Sequence, residues 1–281
     1  MRFRSRHLVA TLRSVAAPHV LAIAFAAILT GCASTTRPGA VGVQREQFML
    51  VSAAEVERMS ATSYNNQANQ ARAQGKLISS GPEYDRLRKI ANRIIAQAGV
   101  FRDDTKRWNW QLTLIDSPQL NASCMPGGKI TFYTGIIRRL KLTDPEIAAI
   151  MGHEVAHALR EHGREKVSRA MGQQFLLELA LGGKPDSAQQ IKFAQQVGNV
   201  LITLPNSREN ETEADRIGIE LAARAGYDPM GAVNVWRKMA AAGGGGTPEF
   251  LSTHPSHATR INELTQLQAV VRPLYEAAPK P

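Results

Sequence analysis

The chain has 281 residues, 43% of them hydrophobic and 21% charged, with a formal net charge of +10. That length suits one domain with a sizeable core. The basic excess is not interleaved with aromatic residues, which make up only 6%, so a nucleic-acid surface is excluded.

Residues 1–31 read as a bacterial lipoprotein signal peptide. Arg2, Arg4, Arg6 and Arg13 give a positive start, and residues 20–29 form an apolar core too short for a comfortable membrane span. Leu29-Thr30-Gly31-Cys32 has the form of a lipobox, with Cys32 lipidated as the mature N-terminus. An ordinary signal peptide or a single transmembrane anchor is the alternative. Acyl chains anchor through about 0.8 kcal/mol per buried methylene. Ala33, in place of aspartate, directs the protein to the outer membrane facing the periplasm. Removing the four arginines takes the 34 basic residues to 30 against 24 acidic ones, a net charge of +6, which suits an anionic membrane nearby. With Cys32 lipidated, Cys124 is alone and no intramolecular disulfide can form. A lone cysteine is read as a packing residue before a redox or zinc-masking thiol. Residues 32–50 are expected as the lipidated cysteine and a flexible tether, since 33–46 are rich in Ala, Ser, Thr and Gly.

Residues 51–272 form the expected domain, followed by a tail at 273–281. Helical patterns cover about 52–72 and 82–98, the second with Pro82 in its first turn. Residues 108–115 alternate Trp108, Trp110, Leu112 and Leu114 with polar residues, as a half-buried strand does. Lys129 to Tyr133 is a second short strand after the Pro126-Gly127-Gly128 turn.

His153-Glu154-Val155-Ala156-His157 is the most informative stretch. Histidines four apart share one helix face and can reach one tetrahedral Zn²⁺. Glu154 then points at the open coordination position as a general base for water. Residues 147–159 are otherwise apolar, which marks a buried helix whose three polar side chains each cost a few kcal/mol if unpaired. Two core histidines satisfied by neighbours are the alternative. Thr143 and Glu146 suit a capping box, Pro145 the first turn, Gly152 a close helix contact and Gly163 a stop. The elongated motif that adds a third histidine would need Gly at 160 and His at 163. Arg160 and Gly163 stand there, and His162 is one residue out of register, so that class is excluded.

Residues 164–181 and 186–203 suit two amphipathic helices split by Gly182-Gly183-Lys184-Pro185. Phe175, Leu176, Leu177, Leu179 and Leu181 are assigned to the core. A further helix starts near Pro205-Asn206-Ser207, buries Ala214, Ile217 and Leu221, and ends at Gly226. On it Glu211 and Asp215 share a face. Glu211 is assigned as third metal ligand and Asp215 as acceptor of a hydrogen bond from a ligand imidazole. An ordinary acidic helix start is the alternative. Glu213 is expected as a solvated charge. Residues 229–241 make another helix, and Gly243 to Gly246 a hinge. His254 is therefore expected on a mobile loop near the metal, as oxyanion stabiliser or zinc cap, with a surface histidine as the alternative. Arg260 could bind an acidic group in the cleft, but a solvated charge is the default.

Together these motifs resemble the gluzincin zinc metallopeptidases related to HtpX, the CAAX prenyl proteases and the periplasmic BepA-type enzymes. Residues 121–130 ahead of Thr134-Gly135, and Ser252-Thr253-His254-Pro255 before Arg260, extend the resemblance over about residues 50–270. It implies an α+β fold, a mostly helical zincin-type domain with a small β-sheet whose edge strand borders the cleft. It also implies one Zn²⁺ per chain and endopeptidase activity. An extended substrate would add to the edge strand through Asn121, Ala122, Lys129 and Ile130, although a plain hairpin reads nearly as well. Unfolded or misassembled envelope proteins as substrates, and outer-membrane assembly machinery as partner, follow from the resemblance alone. The chain lacks the transmembrane helices of membrane-embedded relatives after residue 31 and has no room for a C-terminal repeat domain. A second reading is a chaperone or scaffold that binds in the cleft and seldom cuts. Glu154 argues against it, since a pure binder need not keep the base.

Overall fold

The computed structural model describes residues 32–180, 205–242, 249–254 and 258–281. The targeting segment, the helix expected over 186–203 and the four-glycine hinge lie outside the described residues.

Helix α1 (Ala53–Ala73) opens on Ser52, whose hydroxyl accepts the Glu55 N–H at 3.2 Å. Helix α2 (Pro82–Ile95) buries Leu87, Ile90, Ala91 and Ile94, one helical stripe. It stops short of 98, where a 3₁₀ turn swings Ala98 and Phe101 into the core. The sheet has strands β3 (Leu77–Ile78), β4 (Gln111–Ile115), β5 (Ala122–Met125) and β6 (Lys129–Tyr133) in the order β3-β4-β6-β5. Only β4 and β6 run parallel, with Leu112 opposite Ile130. The strand expected over 108–115 begins only at Gln111, so Trp108 and Trp110 lie before it, just after a 3₁₀ turn at Asp103–Arg107.

Strand β6 is interior, with β4 on one side and β5 on the other. Lys129 and Ile130 therefore cannot take a substrate strand, which corrects the sequence expectation. Ile130 is wholly buried and the Lys129 ammonium bonds the Asn109 and Gly127 carbonyls. The free edge belongs to β5. Tyr133 N–H reaches the Asn121 carbonyl at 3.3 Å, so by antiparallel alternation the backbone groups of Ala122 and Cys124 face outward.

The helical body comprises α3 (Thr134–Arg139), α4 (Asp144–Leu159), α5 (His162–Ala180), α6 (Arg208–Arg224), α7 (Met230–Ala242), α8 (Glu249–Thr253) and α9 (Ala258–Ala277). Helix α4 lies at its centre, packed by α2, α6, α7 and β5. Its start is fastened by the Thr143 N–H donating to Glu146 Oε2 at 2.7 Å. It ends at Arg160, not Gly163. Glu161 takes a left-handed φ of 50°, and α5 restarts at His162. Helices α4 and α6 cross at Gly152 and Gly218, so closely that a Cβ on Gly152 would lie 2.6 Å from the Gly218 carbonyl oxygen.

Three further expectations change. Phe175, Leu176 and Leu177 are exposed, because they lie beyond Ser168, the last buried residue among those described on α5; Leu179 and Leu181 are not described. Helix α9 continues through Pro273 to Ala277, with Leu274 and Tyr275 against the core, so the tail begins later than 273. Residues 34–48, read as part of a flexible tether, are seated on the body. The strand β1 (Cys32–Ala33) pairs with β2 (Gln47–Phe48), Val41 and Val43 are buried, and Gln47 is fully enclosed. The small residues that suggested flexibility alternate with anchors whose partners lie far along the chain.

Candidate metal centre

On α4 the His153 and His157 imidazoles, one turn apart, bring their Nε2 atoms within 3.1 Å of each other. Helix α6 supplies Glu211, whose two carboxylate oxygens lie 3.4 Å from His153 Nε2 and 3.4 Å from His157 Nε2. His254, just past α8, stacks on Phe250 and places Nδ1 3.0 Å from Glu211 Oε1 and 3.2 Å from His153 Nε2. One donor atom from each of these four buried residues falls within 4.8 Å of the others, a group placed to hold a metal ion.

The hydrogen bonds around this group say which species fits. Asp215 Oδ1, 3.0 Å from His153 Nδ1, can only accept, so Nδ1 carries the hydrogen and Nε2 a lone pair. Glu213 Oε2 does the same for His162 Nε2 at 3.0 Å. His162 Nδ1 is then an acceptor, and it faces His157 Nδ1 at 2.8 Å. His157 therefore also presents a bare Nε2. Two lone pairs and a carboxylate converging in a buried space repel each other unless a cation lies among them. Two or three imidazole nitrogens and one carboxylate are donors suited to zinc.

The titration behaviour agrees. Burial pushes His153 down, but its bonds to Asp215 and Glu211 outweigh this and raise it to about 9, so a proton stands in when no metal is bound. Burial drives His157 well below its usual value. For Glu211 burial acts upward, yet His254, His153 and His157 hold the carboxyl well below the ordinary range. Arg260, expected to be solvated, is buried. Its Nε and Nη2 donate to Asp215 at 2.6 and 2.7 Å, Nη1 lies 2.8 Å from Glu211, and the guanidinium covers the Trp236 ring at 3.6 Å. The acidic groups it binds belong to the site itself.

Glu154 is buried beside this group. Burial raises its carboxyl, which accepts a hydrogen bond from the Cys124 backbone, while Oε1 has no hydrogen-bond partner and lies 3.5 Å from His254 Nε2. A cleft opens from Glu154 and His157, walled by Ser123, Met125, Lys166 and Asn206. Asn121 and Ala122 line it on the β5 side. Cys124 packs into the core, and burial raises its thiol well above the usual value. Of Cys32 only the backbone pairing is described.

Two residues at the site escaped sequence reasoning. His162 is five positions after His157, the wrong interval for one helix face, and only the left-handed Glu161 turns it back. Glu213 is not solvated. It points away from Glu211 on α6, but onto Arg160 Nε at 2.9 Å, Arg45 Nε at 2.8 Å and His162. Burial acts upward on its carboxyl, and His162, Arg45 and Arg160 together bring it down to about 2.

Residues 82–268 match Peptidase family M48. The mitochondrial metalloendopeptidase OMA1 of Schizosaccharomyces pombe is 37% identical over 63% of this chain and 51% of its own length. The beta-barrel assembly-enhancing protease of Yersinia pestis is 28% identical over 69% of this chain and 40% of its own. Metalloprotease LoiP of Escherichia coli is 24% identical over 87% and 94%. The chain spans about half the length, or less, of the mitochondrial relatives it matches.

Proposed function

The chain belongs to peptidase family M48, and from that premise we propose that it is a zinc endopeptidase acting on unfolded or loosely structured polypeptides. The observation that carries this reading is the convergence of His153, His157 and Glu211 beside a buried, partly unbonded Glu154. Zinc held by those three residues would supply Lewis acidity, lowering the pKa of water in the site and polarising a peptide carbonyl. Glu154, its carboxyl raised by burial, takes the proton from the attacking water and returns it to the leaving amine. Asp215 and Arg260 keep His153 oriented. The outward carbonyls of Ala122 and Cys124, whose N–H groups are held by Asn121 Oδ1 and Glu154, offer an extended substrate backbone a place beside β5, which requires the substrate segment to be unfolded.

Envelope proteins as substrates, including misassembled ones, accord with the name of the Yersinia pestis relative. Attachment through a lipidated Cys32 at the outer membrane, facing the periplasm and its assembly machinery, accords with the lipobox. Among the described residues no helix is long and apolar enough to cross a membrane.

One observation favours restrained activity or a binding role: His254 already fills the fourth side of the metal group, with Nε2 toward Glu154. In this reading His254 caps the metal at rest and leaves when substrate enters. The test is cleavage of an unfolded protein by the zinc-loaded chain beside Glu154→Gln and His254→Ala. Loss of about 10²–10⁴-fold in kcat for Glu154→Gln, with substrate binding kept, supports the peptidase. Equal, slow turnover by the parent and Glu154→Gln would leave the binding module. Unchanged kinetics for His254→Ala would remove the cap.

A further inference from the structure

Each metal-facing imidazole is backed by a different structure. Behind His153 stands Asp215, clamped by Arg260 from α9. Behind His157 stands a longer chain: His162, then Glu213, then two arginines. One of these, Arg160, is fully buried and follows the motif helix. The other, Arg45, comes from the N-terminal segment. It forks onto Glu165 at 2.7 and 2.9 Å, bonds Asn210 at 2.9 Å and reaches Glu213 at 2.8 Å. Gln47 beside it donates to the Arg160 carbonyl at 2.7 Å and to Glu165 at 2.9 Å. Arg160 in turn donates to the Arg45 carbonyl at 2.8 Å.

We propose that His162 and Glu213 are positioning residues for the metal ligand His157, and that Arg45 completes their support, so that the N-terminal segment is part of the metal site. Glu213 can only accept, which puts the His162 hydrogen on Nε2 and leaves Nδ1 to accept from His157. That fixes His157 with a hydrogen on Nδ1 and a lone pair on Nε2, the atom that faces the metal group. Remove the acceptor at 162 and His157 is free to rotate or to carry its hydrogen on Nε2, where it blocks the metal. Remove Arg45 and Glu213 loses one of the two cations that aim it. Outer partners of this kind typically change metal affinity by about 10–100-fold. The inference rests on the zinc reading above.

The test measures zinc affinity of the full chain by chelator competition, with Co²⁺ absorption as a report on coordination geometry and melting of the metal-free protein as a control. His162→Phe should bind zinc about 10–100-fold more weakly and change the Co²⁺ spectrum. His162→Gln, whose amide oxygen can accept from His157 and whose amide nitrogen can donate to Glu213, should return both close to the parent. Arg45→Met leaves the histidines in place and should weaken zinc by a smaller factor, which decides the matter should His162→Phe fail to fold. Parental affinity and spectrum in folded His162→Phe, or in Arg45→Met, would overturn the proposal. A parent chain that takes up no zinc would overturn the metal reading itself, a distinguishable failure.

Discussion

Gly152→Ala tests whether the α4–α6 crossing sets the metal site. In an ordinary helix interior this change stabilises by about 1 kcal/mol. Here the added Cβ would lie 2.6 Å from the Gly218 carbonyl oxygen and 3.3 Å from the Gly218 Cα, backbone atoms that cannot swing aside. Reaching ordinary contact at 3.4 Å requires the helices to part by about 0.8 Å. Overpacking of this kind costs about 1–3 kcal/mol, so set against the gain in helix propensity the variant should lose up to about 2 kcal/mol, a fall of up to about 8 °C in Tm. The same separation would stretch the 3.0 Å bond between His153 and Asp215 beyond hydrogen-bond range and move Glu211 away from both imidazoles. Zinc affinity, read by chelator competition, should therefore fall more than stability alone explains. A variant that melts higher than the parent and binds zinc equally well would refute the reasoning, because the sign would then be that of free helix propensity.

Removing the Arg260 guanidinium as Arg260→Met leaves Asp215 and Glu211 buried beside each other without their cation; the metal-free protein should lose about 3–5 kcal/mol in urea unfolding, and Arg260→Lys should not restore it. Acid sensitivity should localise to the N-terminal network. Burial acts upward on the Glu165 carboxyl, but Arg45 and Gln47 hold it down to about 2, as Glu213 is held. A depressed folded value means stability that is complete above the unfolded value of 4.5 and is lost as pH falls from there toward 2. Arg45→Met should flatten the fall of the urea midpoint across that window; parallel curves would show that the pair contributes nothing there.

The sequence made the motif helix and its partner legible because their signals are local. A five-residue spacing, a capping box and an uninterrupted apolar run specify a buried helix with two inward histidines, and Ser207 to Gly226 mark the ends of α6 in the same way. The sheet was half legible: Lys129 to Tyr133 stood out as a strand, but nothing in its own pattern says that it lies inside β5. What was hidden depends on contacts far apart in sequence. Arg45 meets its partners 120 to 168 positions away, and its surroundings of small residues look like a linker until those partners are in place. Arg260 and Glu213 looked like solvated charges for the same reason. His162 was hidden by a single left-handed residue, since helical periodicity cannot anticipate Glu161.

The seating of the first described residues also limits how the molecule can be tethered. Ser34 already receives a hydrogen bond from Arg160, and the chain from Thr36 onward is held. Only Ala33 separates Cys32 from Ser34, and β1 already pairs Cys32 and Ala33 with β2, so the backbone is held from Cys32 onward. Anything attached at Cys32 is thus on a short leash. A bilayer gripping that cysteine would have the body lying flush against it in a restricted range of tilts, and the mouth of the cleft would sample only polypeptide within a molecular diameter of the surface. Lengthening the leash with a Gly-Ser insertion after Cys32 would widen that zone without touching a single residue of the catalytic group.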